Sequence, residues 1–471
     1  MRALRGLYLT VGVVIGVLFP FVPVVLAVRG FSAPQIGLVM ALTAVGYVVG
    51  LPAWGHLGDV VLGRRRALEV AALGSAAAAL LFGLPLALPL VAAACVGYYV
   101  MQSGAGMLTD AMTVNALGDR ADRYGRFRLL ESASFAVATL AAGTAYDAVG
   151  YGLSYGLAAA SAVLVALMAM WVADAPRAQL SDYAPPPADP LRGPVGLVAG
   201  AGGRSATAVE PARDPLDRVP VAVGYRAAEP ERAIAILAPP PLRAARDASA
   251  RVAEGFERRT RLRLPARWET AGGSLTVALT VAPRLIGVLA AVILVHLAVL
   301  ASFTFLPLRL MLLGSPPSVI AWSSALSAVF EIPAMFGASR LVPRVGLRGL
   351  FVAGCLLYAA AFLAWIVLSD PVLIVVSRVL TGFGYGALTV GIVLTVGAML
   401  PARLQASGQA LYGMSALGIA SIISNLGGGV VFGAYGHVPV FAAAAVAALA
   451  ATVVAWRFFP ARGEVRLGSQ R

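Results

Sequence analysis

Apolar runs long enough to cross a bilayer, about 20 residues each, recur at roughly 6–28, 35–58, 67–90, 91–116, 127–146 and 150–173. After a polar middle they resume at 285–307, 317–339, 347–369, 371–399, 406–432 and 438–459. The pattern predicts twelve transmembrane helices in two groups of six. Arg2 and Arg5 precede the first run as they would in a leader, but no cleavage site follows it, so it reads as a retained span.

The expected organisation is an N-terminal six-helix bundle over 1–173, a cytoplasmic connector over 174–283, and a C-terminal bundle with a short tail over 284–471. The connector holds 15 arginines against 12 acidic residues, with the proline runs "APPPADP" and "APPPLR" that no span would tolerate. Its first part is expected to be disordered, because proline, glycine and charge leave too little apolar surface to offset ordering entropy. Residues 220–282 read either as solvated linker or as a small folded insert. In the second case "VPVAVGYR", "RAARDASARVAEGFERRTRL" and "GGSLTVALTV" form a strand, a helix and a strand.

Composition agrees with the pattern. The chain is 59% hydrophobic and 12% charged, with a mean hydropathy of +0.84, against about a quarter charged in soluble domains. A net charge of +14 would suit nucleic acid, but the placement follows the membrane instead. All 36 basic residues are arginine, and outside the connector most gather in alternate loops and the tails, at 2 and 5, 64–66, 120–128, 340–348, 403 and 457–471, while the other connections hold little beyond Arg29 and Arg309. By the positive-inside rule those loops and both termini are cytoplasmic, and a multi-pass protein of the plasma membrane is expected, with lipid and not nucleic acid as its surroundings. Cys95 and Cys355 lie inside apolar runs, where a small core residue is the simpler reading than a disulfide or metal pair.

The two groups of six repeat one another. "LPAWGHLGDVVLGRRRAL" parallels "IPAMFGASRLVPRVGLRGL", "YYVMQSGAGML" parallels "SRVLTGFGYGAL", and the fifth and eleventh spans end in "YDAVG" and "FGAYG". Parallel six-span repeats imply two bundles related by an axis along the membrane normal, with a solute site between them near the midplane.

With these motifs the chain resembles the major facilitator superfamily over nearly its whole length apart from the connector. The signature loop after the second span is carried by Gly55, Asp59, Gly63, Arg64 and Arg65, with a weaker copy at Gly337, Arg344, Gly346 and Arg348. It departs from the pattern at Val60, where the family often has a basic residue, and its second glycine comes one place late. "PAWGHLGD", "YGRFRLLESASF", "EIPAMF" and "PARLQASGQALYG" are similar to the branch holding lactose permease, nucleoside symporters and phenylpropionate permeases. The resemblance implies an all-α major facilitator fold and alternating access. Asp59 ends the second span at the cytoplasmic face beside Arg64–Arg66 and is expected to hold the outward-facing state through charge-assisted bonds to neighbouring helix ends, with Arg64 and Arg65 as gating residues beside it.

Ten acidic residues lie outside the connector, and only Asp110, Glu131 and Glu331 fall within spans away from their ends. A charge at bilayer depth costs roughly 2.5–3.5 kcal/mol on insertion scales, so it is expected to face a cavity and meet a partner. Asp110 and Arg128 flank one short turn at comparable depth, and Glu131 lies three residues on, on the same helix face as Arg128. These three are the candidate solute-binding residues, and the resemblance implies the same, since in that branch an acidic residue and an arginine at matching positions bind substrate. An interfacial ion pair anchoring the fifth span is the alternative. Glu331 is the candidate for proton coupling, because a carboxyl in a low-dielectric setting holds its proton more tightly; a structural hydrogen-bonded glutamate is the other reading. His296 is either a relay or an interhelical histidine, and Arg378 a possible cavity residue. Methionines and aromatic residues along the spans are assigned to packing.

These features predict a secondary transporter that moves a small organic solute of the sugar, nucleoside or aromatic acid class with protons, acting as a monomer. Proton-driven efflux of drugs or other amphipathic compounds is the alternative. A polytopic enzyme or sensor is disfavoured, since no metal-ligand cluster, nucleophile with a base or nucleotide loop appears in the sequence; no cofactor is expected. Deleting residues 180–215 should leave uptake in vesicles nearly intact, because the roughly 70 connector residues that remain still span the gap between bundles. Loss of both expression and uptake would show the deleted stretch to be structural.

Overall fold

In lipid every backbone N–H and C=O must be satisfied within the chain, which leaves helices as the form these runs can take. The computed structural model describes residues 1–117, 124–172, 275–401 and 404–462, and these are helical almost throughout. The first half comprises α1 (Arg2–Leu18), α2 (Val22–Val28), α3 (Ala33–His56), α4 (Arg64–Gly83), α5 (Leu88–Leu117), α6 (Tyr124–Val149) and α7 (Leu153–Met170). The second comprises α8 (Leu275–Val281), α9 (Arg284–Leu312), α10 (Pro317–Val367), α11 (Pro371–Met399), α12 (Gln405–Gly413), α13 (Ala420–Tyr435) and α14 (His437–Phe458). Connector residues 174–274, including most of the suggested insert, lie outside the described residues, as do Asp119, Asp122, Arg403 and Glu464. The stretch expected as the insert's last strand is instead α8, which packs against α12.

Eleven segments of the described residues are long and apolar enough to cross a membrane. The remaining expected span is α6, a helix of 26 residues whose Arg128, Glu131 and Asp147 dilute its apolar character. α1 and α2 form one span, broken by the turn Phe19–Phe21, where Pro20 and then Pro23 remove helix donors. α10 carries two spans, an arm from Pro317 to Ala338 and an arm ending at Val367, separated by Gly346 at φ 74°. The third and fourth spans, read as contiguous in the sequence, are separated by residues 84–87.

The repeat is visible in the backbone. Among the described residues six glycines adopt positive φ, and they form three equivalent pairs: Gly30 and Gly314 after the first span of each half, Gly63 and Gly346 after the second, Gly150 and Gly436 after the fifth. Helix pairing repeats too. α1 packs on α6 and α7 as α9 packs on α13 and α14, and α3 packs on α5 as α10 packs on α11. Within the first half, Tyr146 Oη and Thr139 Oγ1 donate to the carbonyls of Val17 and Gly16 at 2.6 and 3.0 Å, fixing α6 along α1. Gly12 has no room for a Cβ beside the Glu131 carbonyl, so that approach sets the depth at which Glu131 sits.

The end bearing Asp59 and Arg64–Arg66 is here called the arginine end, and the end bearing residues 29–32 and 313–316 the far end. The halves meet at the far end. There α3 crosses α13, where Gly37 lies against Asn425 and Gly429, and Gly433 against Pro34; α6 crosses α10, where Gly143 lies against Pro317, Ser318 and Ala321. Asp147 Oδ1 accepts the Ser318 N–H at 2.9 Å, placing a carboxylate of one half on the N-terminus of a helix of the other. Phe19 and Phe303 meet edge to face across the same seam, with ring centroids 5.8 Å apart.

Two substitutions test this closure. Gly37→Trp has no space beside Gly429, and Asp147→Ala removes a capping contact of about 1 kcal/mol, roughly fivefold in an open–closed equilibrium. A membrane-impermeant thiol reagent applied from the far side should label Phe303→Cys faster in both backgrounds, the tryptophan giving the larger effect. Labelling at the parent rate in both would contradict the seam described here.

Candidate functional site

Between the halves the first half contributes Tyr8 (α1), Tyr47 (α3), Asp110 (α5), and Arg128 and Glu131 (α6). The turn between α5 and α6 brings Asp110 and Arg128 to one level, as expected, although the turn residues themselves lie outside the described set. Arg128 Nη1 lies 2.7 Å from Glu131 Oε2 and 3.7 Å from Asp110 Oδ2. The other oxygen of Asp110 accepts from Tyr8 Oη at 2.6 Å. Tyr8 is held by the Phe127 ring, 5.7 Å away between centroids, so its hydroxyl is fixed before any solute arrives. The side chains of Arg128, Asp110 and Glu131 are 45, 19 and 13% exposed, so the network is not sealed inside the bundle.

The second half answers with Glu331 on the first arm of α10, Tyr385 on α11 and Tyr412 on α12. Arg128 lies within electrostatic range of Glu331 and Tyr385, and Tyr47 within range of Arg128, Glu131 and Asp110. Arg128 and Glu331 belong to different halves, so this electrostatic contact runs across the boundary between them. Gly386 of α11 packs against the Glu331 backbone, where a Cβ would come within 2.9 Å of the Glu331 carbonyl oxygen, and so fixes the height of that carboxyl. Tyr412 lies within range of Glu331 on one side and meets the His296 ring at 6.0 Å on the other.

The remaining sequence-derived candidates fall elsewhere. His296 is 4% exposed, and its Nδ1 lies 2.8 Å from the Val292 carbonyl, a contact that requires the proton on Nδ1. It reaches the network through Tyr412. Arg378 is 2% exposed inside the second half, where its Nε donates to the Ser323 carbonyl at 3.1 Å and its guanidinium lies 5.7 Å from the Trp365 ring centroid. It is not brought together with Asp110, Arg128 and Glu131. Asp59 and Arg64 pair at 2.7 Å at the arginine end, and Arg64 Nη1 also donates to the carbonyl of Ala111, the residue after Asp110, at 3.2 Å. The signature loop is thereby tied to the helix that carries the site. Arg65 pairs with Glu69 at 3.6 Å.

Sequence reasoning missed Tyr8, Tyr47, Tyr385 and Tyr412 by assigning aromatic residues to packing. The available signal was their depth: a tyrosine well inside a span must direct its hydroxyl to a partner or to water. Asp147, at the end of the fifth span, caps a helix of the other half. No group of three or more histidine, cysteine or acidic side chains able to hold a metal ion occurs among the described residues.

No curated protein matches the sequence. Solved structures do match in fold. A variant of the nucleoside transporter NupG aligns with a TM-score of 0.66 at 12% identity, covering 98% of this chain and 99% of that one. The proton:xylose symporter XylE gives 0.54 at 13%, covering 99 and 96%, and the human organic anion transporter MFSD10 0.54 at 14%, covering 96 and 97%. At these identities the likeness speaks for the fold. A sequence model described as the MFS_1-like family matches residues 1–443. With eleven segments of the described residues long and apolar enough to cross a membrane, two repeated halves and a family match over residues 1–443, the chain belongs to that family and is a major facilitator membrane transporter.

Proposed function

We propose that the protein is a secondary active transporter of the plasma membrane that carries a small organic solute by alternating access, coupled to protons. The observation that carries this reading is the network on the first half, Asp110, Arg128 and Glu131, standing opposite Glu331 on the second across a space closed at the far end. A site whose two walls belong to two bodies is remade whenever those bodies rock, which is what alternating access requires. With the arginine end cytoplasmic by the positive-inside rule, the seam at the far end closes the outer side in this reading. NupG is a nucleoside transporter and XylE a proton:xylose symporter, and both favour solutes of the nucleoside and sugar classes. Asp110 and Glu131 supply acceptors, Arg128 a donor fork, and Tyr47, Tyr385 and Tyr412 amphipathic walls. Asp59, Arg64 and Arg65 act as the gate at the arginine end, where Arg64 transmits to α5 through Ala111. Glu331 is the proton carrier, since it has a cation opposite it and lies on the half that moves against that cation.

Two sets of substitutions test the assignment. Arg128→Lys keeps the charge but loses the planar fork, and should weaken solute binding at least about tenfold in a protein that still inserts and folds. Asp110→Asn should also impair uptake, and Asp110→Asn with Arg128→Gln should regain stability without regaining transport; parental uptake by either single variant at matched expression would leave the pair as a membrane anchor. Glu331→Gln should retain solute counterflow in proteoliposomes while losing accumulation driven by a pH gradient. Accumulation at the parental level in that variant would remove Glu331 from the coupling scheme.

A further inference from the structure

The eleventh span is held by different partners on its two sides. Toward the far end, α13 is clasped by the first half, with Asn425 and Gly429 against Gly37 and Gly433 against Pro34, and it is tied to α9 where Thr304 Oγ1 donates to Asn425 Oδ1 at 2.7 Å. Toward the arginine end, α12 is tied to α11 of its own half. Gln405 and Gln409 donate through Nε2 to the carbonyls of Gly397 and Val393, both at 3.2 Å, and Gly408 lies against Val396 and Leu400. Between the two the helix is not α. Met414–Ile419 is a π-turn, and the Ala420 N–H that follows it donates to the Ser415 carbonyl, five residues back. A second π-turn occurs among the described residues, Leu57–Val61, but that one ends a span and this one interrupts a span. The corresponding fifth span, α6, runs from Tyr124 to Val149 as one helix, so the repeat does not account for the interruption.

Single π-turns inside α-helices are rare, kink the helix and concentrate at functional sites. Here Gly413 precedes the turn and Gly418 lies in it, and a Cβ at either would meet nothing. Packing does not require these two glycines, as it requires Gly408 and Gly429, and a glycine inside a helix weakens it. Tyr412 stands directly before Gly413, within electrostatic range of Glu331 and with its ring 6.0 Å from that of His296. We infer, resting on the reading of this space as the solute site, that the π-turn is a joint about which α12 turns against α13. The turning moves Tyr412 on and off the Glu331 side of the solute while the halves keep their places. The contacts of Asn425, Gly429 and Gly433 lie beyond the joint, so the far-end seam stays closed while Tyr412 moves. Tyr412 is thus a positioning residue for Glu331 and the solute, set by a movement smaller than the rocking of the halves and separate from it.

The test places spin labels within the second half of the full chain in nanodiscs, without solute and with Cys95 and Cys355 replaced. The pair Ala410→Cys with Val453→Cys has the joint between its labels and α13, the pair Val430→Cys with Val453→Cys does not, and all three positions are exposed. Rocking of rigid halves leaves both distances unchanged. The first pair should give two separations, or a distribution at least about twice as broad as the second. Gly413→Ala with Gly418→Ala should reduce it to the breadth of the second, since alanine favours the regular helix and its methyl meets nothing. Gly427→Ala also meets nothing but lies within α13, and should change neither distribution. A narrow first distribution in the parent, one that the paired alanines leave broad, or one that Gly427→Ala narrows equally would overturn the inference. In proteoliposomes the paired alanines should slow counterflow of radiolabelled uridine or D-xylose at least about threefold without lowering the melting temperature. Parental counterflow in a variant whose distribution has narrowed would also overturn it. A parent that moves neither probe would instead remove the nucleoside and sugar reading, and the labels would still decide the joint.

Discussion

A charge taken into the bilayer must be matched by another charge or by water, and much of this molecule follows from how Arg128 meets that demand. Its contacts with Glu131 at 2.7 Å and Asp110 at 3.7 Å join α6 to α5, and the Tyr8 hydroxyl on Asp110 joins α5 to α1. Three helices of the first half are therefore organised around one guanidinium. Left alone, each ionised group would cost roughly 2.5–3.5 kcal/mol at that depth; together they offset one another. The same demand places Glu331 where it can respond to Arg128 from the other half.

Close helix approach is the second constraint, and it sets where the open space is. At Gly37, Gly143 and Gly429 the absence of a side chain lets α3 meet α13 and α6 meet α10, so that backbones of the two halves touch at the far end. The Asp147 carboxylate on the N-terminus of α10 adds a polar contact to that seam. Glycines also act within each half: Gly12 and Gly386 press helices against the backbone of Glu131 and Glu331, which fixes the depth of the two carboxyl groups that face one another. Packing of small residues and placement of charge are thus one arrangement, since a Cβ at either glycine would displace the segment carrying the charge.

Much of this was legible in the sequence because the signals are strong in lipid. Runs of apolar residues and the alternation of arginine-rich loops give the spans, and the paired motifs give the two halves. The three pairs of positive-φ glycines, Gly30 with Gly314, Gly63 with Gly346 and Gly150 with Gly436, realise that repeat in the backbone. Asp110, Arg128 and Glu131 could be grouped because two short rules apply, helix spacing and equal distance from a turn. What remained hidden depends on contacts between distant segments. Tyr8 and Asp110 are 102 residues apart and Asp147 and Ser318 are 171 apart, so no local pattern announces either bond. Arg378 illustrates the converse: a charge in a span need not face the solute path, and this one is enclosed between the Ser323 carbonyl and the Trp365 ring.

The central claim is that one polar network is exposed alternately to the two sides by movement of the halves about it. It is tested most directly by distances between spin labels at the two ends of the same molecule, with Cys95 and Cys355 replaced: one pair at Tyr151→Cys and Ser315→Cys at the far end, the other at Val61→Cys and Arg340→Cys at the arginine end. Adding saturating solute should lengthen the far-end distance and shorten the arginine-end distance together, as reciprocal shifts of population. Distances that stay fixed, or that lengthen or shorten at both ends at once, would contradict the account.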